Sequence, residues 1–331
     1  MLSVNDIKKQ SQSAYKQWAN QWRDHAKIHS SYPMHSFDDF AYTGIGKAAL
    51  CVASGFSFEK EIETIKKYKD NVDIVACDKS LGHLLDHGII PKFCVLADAN
   101  VNYEAYLEKW KDKLTDTYLF ANVCGNPKWT SLGNWKKVYF FAVQDVLESE
   151  KEFQAISGCP NTIVAGTNVS NAMVIAITQS NNSGRNNLFG YDKILLIGFD
   201  FSWDVLGSYY AFDKTGSGKC NYMRHGYFLD HSPNRNIVAS STNLLFSAKW
   251  LDTYINNFKL PVIQCTRNTI LATKQMGVLS EQMQYNYKRE NSSKVINMMK
   301  SIKFLQAKKK ELESQVRDLA IDHYYSYMKS V

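Results

Sequence analysis

Lys193-Ile194-Leu195-Leu196-Ile197-Gly198-Phe199-Asp200-Phe201 decides the fold of this chain. A run of Leu and Ile this short, closing on Gly and Asp, reads as a buried strand of a parallel sheet, because such strands are covered on both faces and carry no polar alternation. Open parallel sheets place ligands beyond the carboxyl ends of their strands. Asp200 therefore heads a candidate site. Gly207-Ser208-Tyr209-Tyr210-Ala211-Phe212-Asp213 and Asp230-His231-Ser232-Pro233-Asn234 follow with further polar groups.

Outward from this stretch the same texture recurs. Apolar runs predict strands at 48–53, 72–77, 93–97, 118–123, 138–143, 193–197 and 261–265. Periodic segments predict helices at 59–68, 80–87, 103–114, 168–178 and 244–258. Strands alternating with helices indicate an α/β protein with a Rossmann-like, doubly wound and mostly parallel sheet. Ile7, Tyr15, Trp18, Trp22 and Ala26 recur at helical spacing and predict an N-terminal helical arm over 1–43, ahead of an α/β nucleotide-binding domain over 44–277. Beyond it, over 278–331, Val295, Met298, Ile302, Leu305, Leu312, Val316 and Leu319 run close to a 3.5-residue repeat, broken at Lys309. Such a stripe suits homo-oligomerisation through residues 283–331. Docking on the chain's own body, or contact of Lys308-Lys309-Lys310 with an acidic surface, are the alternatives.

Composition narrows the function classes. The net charge is +7, and residues 283–331 alone hold ten Lys/Arg against five Asp/Glu, so the rest of the chain is close to neutral. That argues against a broad nucleic-acid surface. No apolar run is long enough to span a membrane, and the Met1-Leu2-Ser3-Val4-Asn5-Asp6 start has neither the basic nor the apolar region of a secretion signal, so a cytoplasmic protein is expected. The seven cysteines form no Cys-x-x-Cys pair and mostly sit in or beside apolar runs, as structural thiols do.

Several residues could carry chemistry. Ser54-Gly55-Phe56-Ser57 forms a Gly-bearing turn between strand and helix, where backbone N–H groups can approach a phosphate; the plainer reading is a tight turn with Ser57 as a helix cap. Asp78 and Asp98 follow the second and third strands, and so reach the same sheet edge as Ser54 and Asp200. Carboxylates there suit Mg²⁺ bridging phosphates, ribose or base recognition without metal, or simple helix capping. Gly166-Thr167-Asn168 opens an apolar helix whose dipole favours an anion. Tyr209 or Tyr210 can donate to a phosphate, and His231, with His225 as competitor, can act as a general base. His83 and His87 lie four apart on a helix, but no third ligand accompanies them and Leu81, Leu84 and Leu85 mark that helix as a packing element. Asn168-Val169-Ser170 matches a glycosylation sequon only formally.

The segments Cys51-Val52-Ala53-Ser54-Gly55-Phe56-Ser57-Phe58, Val72-Asp73-Ile74-Val75-Ala76-Cys77-Asp78 and His87-Gly88-Ile89-Ile90-Pro91-Lys92-Phe93-Cys94-Val95-Leu96-Ala97-Asp98 resemble the MptE-like family. So do Ala165-Gly166-Thr167-Asn168-Val169-Ser170 and Gly198-Phe199-Asp200. That family groups archaeal 6-hydroxymethylpterin pyrophosphokinases with bacterial motility-associated factors that glycosylate flagellin. The second half is similar to bacterial sialyltransferases with a GT-A-like domain, on Gly207-Ser208-Tyr209-Tyr210-Ala211-Phe212-Asp213, His231-Ser232 with Asn234, and Cys265 with Asn268. This resemblance implies that Tyr210 holds the donor phosphate, that His231 is the catalytic base, and that Ser54 and Asp78 contact the nucleotide. Three positions depart from the pattern: Phe56 stands for a proline, Asp78 and Asp98 stand for amides, and Thr162 stands for an arginine.

Three readings follow. In the first the chain is a glycosyltransferase moving a nonulosonic-acid type sugar from a CMP-sugar to an acceptor hydroxyl. In the second it is a pyrophosphokinase using ATP, with Asp78 and Asp98 holding Mg²⁺. In the third it is a non-catalytic nucleotide-binding scaffold.

Overall fold

A computed structural model describes residues 4–144, 151–164, 168–179, 187–203, 210–212, 227–231, 237–266, 269–272 and 275–284. They belong to one compact unit, Met1–Asn286. Residues 283–284 end the last described helix, and the apolar stripe from Val295 to Leu319 lies outside the described residues.

The chain opens with α1 (Val4–His29), continues through β1 (Ala48–Val52), α2 (Ile62–Tyr68), β2 (Val72–Cys77), α3 (Asp78–Asp86), β3 (Phe93–Leu96) and α4 (Tyr103–Tyr106), and then β4 (Tyr118–Asn122), α5 (Pro127–Leu132) and β5 (Lys137–Val143). After α6 (Lys151–Ser157) come β6 (Thr162–Ile163), α7 (Val169–Thr178), β7 (Lys193–Ile197), β8 (Tyr227–His231), β9 (Ile237–Ser241), α8 (Thr242–Asn257), β10 (Val262–Gln264) and α9 (Leu279–Gln284). Eight strands form one sheet in the order β10-β7-β1-β2-β3-β4-β5-β6. Every pairing in it is parallel. The expected Rossmann-like, doubly wound arrangement is what the chain adopts.

Both faces of the sheet are buried, which is why its strands read as continuous apolar runs. Ala49 and Cys51 of β1, Val75 of β2, Phe93 and Val95 of β3 and Leu196 of β7 join one core with α7, α8 and the aromatic pair Phe37 and Phe40. Their neighbours Leu50, Val52, Ile74, Cys94 and Leu96 are equally buried and, by the period of two, face the opposite layer. Helix α7 is the central support: every residue from Ser170 to Thr178 is buried. The six described cysteines are buried free thiols.

The order of strands fixes where a ligand would sit. From β1 the chain moves outward through β2 to β6, then returns to lay β7 on the other side of β1. The connections on the two sides of β1 therefore part in opposite directions. Crevices at the carboxyl ends of such strands are the ligand sites of open α/β sheets.

Helix α1 covers another part of the same edge. Gln21 donates to Asn100 beyond β3, and His25 and His29 bond the carbonyls of Cys124 and Val123 just past β4. Arg23 pairs with Glu152 of α6, and the Tyr15 hydroxyl donates to the same carboxylate. Among the described residues no helix is long and apolar enough to cross a membrane.

Candidate active site

At the crevice, the turns after β1 and β7 are locked together. Gly55 N–H donates to the Gly198 carbonyl at 3.0 Å, and Ala53 N–H donates to Ile197. Gly198 lies at φ +75°, a conformation in which an L side chain is strained. Gly55 has ordinary dihedrals, but any Cβ there would collide with the Asp200 carboxylate and the Gly198 carbonyl. Asp200 is buried, and its Oδ2 accepts from both the backbone N–H and the hydroxyl of Ser57, at 3.1 and 3.0 Å. Ser57 thus spends its hydroxyl on Asp200 rather than on capping a helix, and the segment Phe56–Glu61 is a 3-10 helix. Asp200 acts by fixing the turn.

The loop that carries Tyr210 docks on this turn. Tyr210 bridges Gly55 in antiparallel fashion, and Ala211 N–H donates to the Ser54 carbonyl at 3.0 Å. Phe212 N–H donates to Glu59, and its ring stacks near His83, at 4.7 Å, and His87, at 5.6 Å. The two histidines therefore form a platform for Phe212. The Nδ1 of His87 bonds the His83 carbonyl.

Behind Tyr210 lies α3. Its first residue, Asp78, is buried and accepts from the Lys79 backbone N–H at 2.7 Å. Burial pushes the Asp78 carboxyl up to about 7, with Lys79 pulling it down and Asp98 pushing it further up. Asp98 is exposed and caps its own turn through the Asn100 N–H. The Lys79 ammonium donates to the Tyr210 hydroxyl at 2.8 Å and lies 4.4 Å from the centre of that ring and 5.8 Å from the Tyr106 ring. Burial disfavours the Lys79 charge, yet the Tyr210 hydroxyl and the Asp78 carboxyl raise its pKa above the ordinary lysine value. Ser80 anchors the start of α3 to the end of β1 through the Val52 carbonyl at 2.7 Å.

The structure brings Ser54, Gly55, Ser57, Asp200 and Tyr210 into direct contact around one turn, and sets Asp78 and Asp98 close enough to act on each other. Asn168 caps α7 by accepting from Ser170 N–H at 2.7 Å; α7 returns from β6, so its N-terminus faces the same sheet edge. Gly166 and Thr167 lie outside the described residues. Of His231 the structure describes the backbone alone, which ends β8 opposite Ile237. Thr162, in place of the arginine of the sialyltransferase pattern, spends its carbonyl on Gln179.

Lys79 escaped the sequence reading. The signal was present: a lysine in the first turn of a helix opposes the helix dipole, where Asp and Glu are the favoured residues.

One solved structure shares this architecture. The structure is similar to that of the Maf glycosyltransferase from Magnetospirillum magneticum AMB-1, with a TM-score of 0.59 and 17% identity over 84% of this chain and 42% of that one. At that identity the likeness is one of fold, and the chain spans less than half the length of that protein. The prephenate dehydrogenase from A. aeolicus matches at a TM-score of 0.14 and 17% identity, over 37% of this chain and 43% of that one. No curated protein sequence matches. The family model described as 6-hydroxymethylpterin diphosphokinase MptE-like matches residues 19–205, more than half of the 331-residue chain and the whole of the sheet from β1 to β7. The chain belongs to the MptE-like family.

Proposed function

We propose that this protein is a nucleotide-dependent transferase, and that it moves a sugar of the nonulosonic-acid type from a CMP-sugar to an acceptor hydroxyl. The observation that carries this reading is the docking of Tyr210 on the Gly55 turn, at the carboxyl ends of β1 and β7. A phenolic hydroxyl held there can stabilise the charge that grows on a departing phosphate. The N-terminus of α7, with Gly166, Thr167 and the Asn168 cap, is taken to add a favourable dipole at the same sheet edge. His231 is assigned to remove the proton from the acceptor hydroxyl, since imidazole is the side chain whose ordinary pKa suits that task near neutrality. Ser54, Gly55 and Asp78 line the nucleotide side, and Ser57 and Asp200 hold the turn in shape.

A second reading rests on Asp78 and Asp98. Burial and the nearby Asp98 charge both raise the Asp78 pKa, a divalent cation would favour the ionised carboxylate, and oxygen ligands are the kind Mg²⁺ takes. No group of three or more His, Cys, Asp or Glu is placed to hold a metal among the described residues, so Mg²⁺ here would depend on these two carboxylates together with ATP phosphates. Bound there, Mg²⁺ would offset phosphate charge during diphosphate transfer to a hydroxymethylpterin-type alcohol.

Thermal shift with CMP, CDP, UDP, GDP and ATP, each with and without Mg²⁺, separates the two. Metal-independent stabilisation by CMP supports glycosyl transfer, with free CMP as the product of turnover. Strict Mg²⁺ dependence with ATP, and AMP as product, supports diphosphate transfer. Absence of stabilisation by any nucleotide defeats both.

A further inference from the structure

Among the described residues, Lys79 carries a charge that no ion pair neutralises. Two other half-buried lysines, Lys47 and Lys92, sit at the amino end of the sheet and share Asp73, which also accepts from the Tyr191 hydroxyl. Among the described residues no carboxylate comes within ion-pairing distance of its ammonium, whose contacts are the Tyr210 hydroxyl and the faces of Tyr210 and Tyr106. Asp78 acts on it only through space, and Oδ1 of Asp78 is taken up by the Lys79 backbone N–H.

Its position makes that charge costly. Burial and the α3 dipole both oppose a cation in the first turn of this helix. An ammonium has three donors, and Tyr210 takes one. For the other two the described residues offer no acceptor. The ammonium also borders, through Tyr210, the Gly55 turn where an open α/β sheet receives its ligand. A half-buried cation with spare donors at that edge is a receptor for an oxyanion, and a lysine binds phosphate as a compact point charge.

We propose that Lys79 is the phosphate-binding cation of this site and that Tyr210 holds its ammonium in place for the ligand. The assignment of that phosphate to a nucleotide rests on the transferase reading above. The phosphate site itself stands on the geometry of Lys79.

The test uses the full chain and inorganic phosphate as probe, followed by calorimetry or thermal shift, with chloride matching the ionic strength and acetate as a carboxylate control. Lys79→Gln keeps a polar donor for Tyr210 but removes the charge. Lys79→Arg keeps the charge, and Lys66→Met removes an exposed lysine elsewhere. Losing a charge-assisted bond of this kind weakens binding by about 10- to 100-fold. The expected result is a loss of that size for Lys79→Gln, partial recovery for Lys79→Arg, and no change for Lys66→Met. Comparable melting curves establish that Lys79→Gln is folded; if it is not, the Lys79→Arg and acetate arms still decide. Equal phosphate affinity in Lys79→Gln and wild type overturns the proposal, as does equal stabilisation of the wild type by acetate and phosphate, or no stabilisation of the wild type by phosphate. If phosphate binds through Lys79 but no nucleotide does, the phosphate site stands and the transferase reading falls. If nucleotide binds but ignores Lys79→Gln, the transferase reading stands and the assignment of Lys79 is overturned.

Discussion

Asp200 Oδ2 accepts two hydrogen bonds from Ser57, one from its backbone N–H and one from its hydroxyl, across 143 positions of sequence. This ties the end of β7 to the turn that follows β1, so the walls of the crevice are covalently distant but mechanically one piece. Asp200→Ala leaves both Ser57 donors without this acceptor. Hydrogen bonds to charged groups contribute about 1.5–3 kcal/mol, and the buried site offers no easy replacement, so a loss of about 2–3 kcal/mol is expected in urea unfolding. Ser57→Ala removes only the hydroxyl bond and should cost about 1 kcal/mol. Equal costs for the two substitutions would contradict the two-bond account.

Gly55 is required for space rather than for backbone freedom, since its dihedrals suit any residue. A methyl group in its place meets the Asp200 carboxylate, which is held by Ser57, and the Gly198 carbonyl, which is main chain and cannot swing away. Gly55→Ala should therefore push the turns after β1 and β7 apart and destabilise the protein by about 1–3 kcal/mol, the range for overpacking a closely fitted site. Tyr210 docks on the same residue, so nucleotide-induced stabilisation should fall with it. A variant with wild-type melting temperature and wild-type nucleotide response would show that the two turns are not coupled.

The fold was legible because each parallel strand is covered on both faces, which leaves an unbroken apolar run such as Ile194-Leu195-Leu196-Ile197 that a sequence window detects. Short elements were not. The helix expected over 103–114 is a single turn, Tyr103–Tyr106, followed by a 3-10 segment, because Leu107 leaves the helical region and the chain folds back to bury Trp110. Helix α5 has only six residues and announces itself by Asn126-Pro127, a cap followed by proline in the first turn. Strand β6 is too short for any periodicity. In the site, Asp78, Asp98 and Asp200 were legible because a residue that follows a parallel strand must lie at its carboxyl edge. The separate tasks of Asp200, which holds a turn, and of Lys79, which meets Tyr210 across 131 positions, were not legible, since they depend on contacts distant in sequence.

His29 supplies a pH dependence that involves no candidate site residue. It is fully buried, its Nδ1–H donates to the Val123 carbonyl at 2.7 Å, and its Nε2 faces the Thr130 hydroxyl at 3.1 Å. Burial lowers its pKa to about 4. The unfolded chain takes up this proton near 6.5 and the folded chain only near 4, so between those values the unfolded state binds more protons. Stability therefore falls as pH drops from about 6.5 to 4, by up to about 3 kcal/mol from this group. Asp78 acts in the opposite sense: its raised pKa, about 7, means that the folded state holds the proton and that stability falls as pH rises from about 4 to 7. The difference between wild type and His29→Gln isolates the imidazole. That difference should shrink steadily as pH is lowered through this window; a constant difference would place a charged histidine in the folded protein.

Under the transferase reading, His231 acts on the acceptor and Tyr210 on the donor, so their variants should separate kinetically. His231→Ala should cut turnover by about 10²–10⁴ with little change in nucleotide affinity, because a general base contributes to the transition state alone. Tyr210→Phe keeps the ring over Lys79 but loses the hydroxyl that accepts from the Lys79 ammonium, so donor use should weaken by about 1.5–3 kcal/mol, the range for a hydrogen bond to a charged group. Turnover of His231→Ala equal to wild type would remove that histidine from the mechanism and leave His225 as the base to test.

The apolar stripe of residues 283–331 makes a separate claim about assembly. Val295, Met298, Ile302, Leu305, Leu312, Val316 and Leu319 would line one side of a helix, and a contiguous apolar surface of that kind is seldom left uncovered in a monomer. Lys309, at one seam position, weakens a simple coiled coil, so any pairing is expected to be short or to draw on the body. The place to divide the chain is after Asn286: Leu279 and Met283 are buried, and the Met283 carbonyl accepts from Asn71 beside β2, so α9 is part of the body's packing. Light scattering should find the full chain self-associated and a chain ending at Asn286 monomeric, with a similar melting temperature at low concentration. A monomeric full chain would mean that the stripe is covered by its own body. In that case removal of residues 287–331 should lower the melting temperature instead of the mass of an assembly.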